Sequence, residues 1–153
     1  MKIKRFGAIA LLLASLSAPA EPPKSDLSRD ASDSLSATYV NCAAYFTVAM
    51  QGLKKSNKLE MAAKYDEAAK TALFAGLTYA KGGQSPDLAE KVSHARYSEY
   101  LKMMLDKIEH NFSNIAILQS EYSDDCMSAI NDPGGFKRKR IQSLRESALP
   151  KNP

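Results

Sequence analysis

The chain has 153 residues, 44% of them apolar and 25% charged, with seven glycines, seven prolines and no tryptophan. That composition suits one globular domain and excludes collagen-like and wholly disordered classes. A formal charge of +4 suggests nucleic-acid binding, but the basic excess is concentrated at the two ends of the chain.

Lys2, Lys4 and Arg5 precede an apolar run from Phe6 to Leu16, followed by Ala18-Pro19-Ala20. This is the layout of a secretory signal peptide at 1–20, with cleavage expected after Ala20. The apolar run falls short of the roughly 20 residues that span a membrane, and no later stretch is longer, so no transmembrane segment is expected after cleavage. Without residues 1–20 the charge nearly vanishes, and nucleic acid is not an expected partner.

Residues 21–34 are rich in Ser, Asp and Pro, and read as a flexible leader. From there Leu35, Tyr39, Cys42, Phe46, Ala49 and Leu53 recur at alternating spacings of four and three, which predicts a first helix over 35–56. After Ser56-Asn57 the same spacing returns at Ala62, Tyr65, Ala69, Ala72, Gly76 and Tyr79. This second helix has a face of small residues, suited to close packing. Gly82-Gly83 reads as its stop, and Ser85-Pro86-Asp87 as the start of the next helix.

Apolar spacing then continues from Leu88 to Ile130. One helix of that length would be left half unpartnered. The cluster Asn111, Ser113 and Asn114 supplies turn chemistry, giving a third helix at 86–110 and a fourth at 113–130. The expected fold is all-α: an antiparallel four-helix bundle over 35–131, with a basic tail at 132–153 that has the pattern of a short surface helix from Phe136 to Leu149.

Cys42 and Cys126 are the only cysteines, and export implies an oxidising compartment, so one disulfide is expected. In an antiparallel bundle Cys42 lies about 10 Å inside the start of the first helix and Cys126 about 6 Å inside the end of the fourth, at comparable heights.

Residues able to carry chemistry are scarce. His94 and His110 are the only histidines, and no Gly-x-Ser-x-Gly elbow, zinc motif or phosphate-binding glycine loop occurs, so no catalytic or metal site is expected. No Cys-x-x-Cys-His is present for covalent haem. Haem ligation by Met50 or Met61 with His94 or His110 defines the alternative, a haem- or metal-binding bundle; no cofactor is expected under the preferred reading.

The sharpest local feature is Lys137-Arg138-Lys139-Arg140. Residues 137–153 carry six Lys/Arg against one Asp/Glu, whereas 21–136 carry 12 against 16. Three readings stand: docking on an anionic surface, folding back on Asp124 and Asp125 near the end of the fourth helix, or a solvated tail.

Export, the segment Tyr39-Val40-Asn41-Cys42-Ala43-Ala44-Tyr45-Phe46 and the segment Glu121-Tyr122-Ser123-Asp124-Asp125-Cys126 resemble uncharacterised small secreted helical proteins of Gram-negative bacteria. The chain also looks like the helical immunity proteins that neutralise cell-wall-degrading effectors in the periplasm. The resemblance implies a non-enzymatic protein-binding or inhibitory module, periplasmic or secreted, with a protein partner.

Overall fold

The computed structural model describes residues 24–148, with side chains from Ser28 to Ser147. The expected signal peptide at 1–20, residues 21–23 of the leader and Leu149–Pro153 of the tail lie outside the described residues. The described chain is all-helical: α1 (Lys24–Lys55), α2 (Leu59–Gly83), α3 (Pro86–Lys107), a single 3-10 turn at Phe112–Asn114, α4 (Ala116–Asn131) and α5 (Pro133–Ala148). No described helix is long and apolar enough to cross a membrane.

The organising element is α1. A helix on a protein surface buries one stripe, but Cys42, Ala43, Ala44, Tyr45 and Phe46 are consecutive and all buried, so this stretch is covered on every side. Val40, Val48 and Ala49 extend the buried segment. The other helices lie around α1 and supply Ala72, Met104, Leu118, Cys126, Ala129 and Phe136 to the same core.

The small-residue face of α2 is what lets it approach. Ala62, Ala69, Ala72, Gly76 and Ala80 are its buried residues. A Cβ built on Gly76 would lie 2.7 Å from Val40 Cγ2, 3.2 Å from the Val40 nitrogen and 3.3 Å from the Ser36 carbonyl oxygen. Two of those atoms are backbone, so the helices meet at a separation that only glycine permits.

Named contacts give the relative placement of the helices. Arg29 at the start of α1 donates to the Gly83 carbonyl at the end of α2, 3.1 Å away. Asp33 accepts two bonds from Arg96 of α3, and Thr47 Oγ1 lies 2.9 Å from the Tyr97 hydroxyl. The Cys42–Cys126 disulfide joins α1 to α4 with Cα atoms 5.2 Å apart, as the cysteine count implied.

Two expectations are corrected, and one holds with a difference. Residues 24–34 of the expected flexible leader are the first turns of α1; Ala31 is buried, and Arg29 and Asp33 hold this end to α2 and α3. The second helix stops at Gly83, as expected, but without the left-handed glycine of a common helix end: both glycines are helical and the chain leaves through an extended Gln84. Asp132-Pro133, expected to end the bundle ahead of a short surface helix from Phe136, instead starts that helix, at Pro133. The Asp132 side chain accepts from Gly135 N at 2.9 Å, and proline occupies the first helical position, where no N–H is needed.

The α3–α4 corner follows the expected polar cluster with a difference. Glu109 and His110 adopt left-handed backbone, with φ of 54° and 55°, and end α3. Asn111 Oδ1 then accepts from Ser113 N at 3.1 Å and caps the 3-10 turn.

Candidate functional site

α5 is amphipathic over its first three turns. Phe136 is buried and meets the Tyr39 ring edge-on, with centroids 5.8 Å apart. Ile141 and Leu144 are half-buried on the same side. Arg140 donates to Ser34 Oγ at 3.1 Å, and the Lys137 ammonium lies 5.7 Å from the centroid of the Tyr79 ring. The helix is thereby fixed to α1 and α2.

Its cations are not neutralised internally. Lys137, Arg138, Lys139 and Arg140 are exposed, as is Arg145, and no ion pair to a carboxylate involves any of them among the described residues. Asp124 and Asp125 are exposed on α4 and likewise in no such pair. Among the described residues no ion pair joins the basic run to these acids, the arrangement that the fold-back reading called for. Nor do they stand in the last turn of their helix, because α4 continues to Asn131. The unfavourable effect of the helix dipole on negative charge is confined to that turn.

Beside α5 lies a groove of about 590 Å³. Ala31, Leu35, Tyr79 and Ile141 supply its apolar surface, Lys137 and Arg145 its cations, and Ser28 and Ser32 its hydroxyls. Among the described residues no carboxylate lines it. This groove was not anticipated from sequence, because it is assembled from the start of α1, the end of α2 and α5. The available signal was the Lys137–Ile141–Arg145 spacing of four residues, which puts one apolar residue between two cations on one edge of a helix.

The residues considered for haem are scattered. His94 and His110 are exposed, each beside a carboxylate four residues earlier, Glu90 and Asp106. Met61 is exposed at the start of α2, and Met50 is half-buried in α1. Among the described residues no group of three or more His, Cys, Asp or Glu side chains is placed to hold a metal ion.

Perturbed ionisations mark packing more than chemistry. Burial raises the pKa of Tyr39, with Tyr79 adding to it, and burial raises that of Tyr45 against the opposing effect of Ser123. Tyr122 is pushed up to about 12, mainly by burial and then by its bond to Glu121. Glu121 is held below the usual carboxylate range by Lys107, which pairs with it across α3 and α4. None of the seven tyrosines is in the exposed class, so they serve the core and its margin.

Comparison of the chain with protein-family models, curated proteins and solved structures finds no match.

Proposed function

We propose that the chain is an exported, non-enzymatic protein-binding module of the inhibitory or immunity-like kind, acting in the periplasm, with α5 as its contact element. The observation that carries this reading is a helix bearing Lys137, Arg138, Lys139, Arg140 and Arg145, fixed to the body through Phe136, whose cations lack carboxylate partners among the described residues. Fixed cations cost less conformational entropy on binding than those of a loose tail. They also attract an acidic protein surface over about a Debye length.

Two further features support export. The first 20 residues have the signal-peptide pattern, and the Cys42–Cys126 bond suits an oxidising compartment. For the body, an up-down-up-down arrangement of α1 to α4, with α5 laid across α1 and α2, accommodates the Arg29–Gly83, Asp33–Arg96 and Cys42–Cys126 contacts together.

The test is affinity capture from periplasmic extract with the native chain and a K137E/R138E/K139E/R140E variant. The native chain retains a protein partner that the variant loses, and retention falls at high salt. Equal capture by both, or a Soret band or stoichiometric metal in the purified protein, overturns the proposal.

A further inference from the structure

We propose that the groove between α1, α2 and α5 receives an acidic amphipathic helix of the partner protein, an assignment that rests on the protein-binding reading above. Lys137, Ile141 and Arg145 follow one another at intervals of four residues, so the two cations stand about 12 Å apart along the axis of α5 with an apolar side chain between them. A ligand helix with Glu or Asp, an apolar residue, and Glu or Asp at the same intervals presents the complementary series. Its apolar residue meets the half-buried Tyr79 and Ile141, and its two carboxylates reach Lys137 and Arg145.

The described lining carries two cations, Lys137 and Arg145, and no carboxylate, which gives the charge complementarity its sign. A helix suits this site better than an extended segment. Its backbone groups bond to each other, whereas a strand lying on Tyr79 and Ile141 would find few partners for its own. Anionic lipid fits less well: a single head group does not bridge cations about 12 Å apart, and a membrane plane would meet the outer face of α5, where Arg138 and Lys139 stand outside the groove lining.

The test uses a synthetic alanine-based helical peptide carrying Glu-x-x-x-Leu-x-x-x-Glu on one face, titrated into the full chain and followed by fluorescence anisotropy. Its Glu→Gln counterpart and vesicles of anionic phospholipid serve as comparison probes. The Glu peptide binds the native chain, and K137E/R145E weakens it at least tenfold, while R138E/K139E changes it less than threefold. The milder K137Q/R145Q weakens it in the same direction, and unchanged circular dichroism and melting of each variant show that the fold is intact.

Failure of the Glu peptide to bind, equal binding of the Gln peptide, or equal losses for the groove and outer pairs overturns the assignment. So does vesicle binding that depends on Lys137 and Arg145 without peptide binding. The two proposals separate in the extract experiment. A partner lost by the fourfold α5 variant but kept by K137E/R145E defeats the groove and leaves the module reading standing, whereas a partner kept by both defeats the module reading.

Discussion

The hydroxyl of Tyr39 donates to the main-chain carbonyl of Ala129, 3.2 Å away and buried. The same ring stacks on Tyr79 at 5.5 Å and meets the edge of Phe136 at 5.8 Å. One side chain of α1 thus touches α2, α4 and α5. Tyr39→Phe keeps the ring and removes the donor, and should cost about 1 kcal/mol in denaturant unfolding. Tyr39→Ala should cost roughly 3 to 5 kcal/mol, as expected for emptying a large aromatic site.

Phe136→Ala addresses α5 alone. Among the described residues Phe136 is the one buried side chain that α5 contributes to the core. Amide exchange should accelerate at least tenfold through 137–147 in this variant while the slowest amides of α1 keep their rates. A uniform acceleration over all helices would show instead that α5 unfolds only with the body.

The Cys42–Cys126 bond links positions 84 apart. On the chain-entropy account a closed loop of that length contributes about 4.5 kcal/mol, so C42A/C126A should lose most of that amount. Urea unfolding of the oxidised native chain against this variant measures it.

Two glycines of α2 should respond oppositely. Gly76→Ala meets backbone of α1 and should destabilise by about 1 to 3 kcal/mol despite alanine's better helix propensity. Gly82→Ala meets only Ser32 Oγ at 3.7 Å, an ordinary contact, and should be neutral or stabilising by up to about 1 kcal/mol. Thermal melts of both variants test the contrast.

Stability should fall at both pH extremes. Tyr39, Tyr45 and Tyr122 have folded pKa values raised above 10.0, so their contribution is complete below pH 10 and is lost as pH rises toward about 12, the folded value for Tyr122. Glu121 and Asp66 have depressed values, held by Lys107 and Lys70 respectively; their contribution is present above 4.5 and 3.8 and is lost as pH falls below those values. Melting temperature across pH, with tyrosinate absorbance followed on the alkaline side, reads both limbs.

The helices were legible where apolar residues recur over many turns. Leu35 through Leu53 and Ala62 through Tyr79 repeat clearly, and the small residues of α2 correctly announced a close approach. The first turns of α1 were missed because Ser and Asp dominate 25–34. Those turns are held by Arg29 to Gly83 and Asp33 to Arg96, partners 54 and 63 residues away that no local pattern displays. Asp132-Pro133 carries the chemistry of a helix start, but the two glycines after it pointed to a turn. The basic run of α5 was visible in the sequence. Its groove was not, since that depends on Tyr79 and the beginning of α1 converging on it.

The central position of α1 also sets an order of events during biogenesis. Among the described residues every segment that covers Tyr39 to Ala49 follows it in the chain, and Cys126 is 84 residues behind its partner. Chains emerge amino-terminus first, so the helix that supplies most of the core is delivered before the described helices that shelter it. Oxidation of Cys42 in its native pair must wait for α4. During that interval the nascent protein presents a long sticky helix, and its yield depends on how well that helix is shielded until the remaining turns arrive.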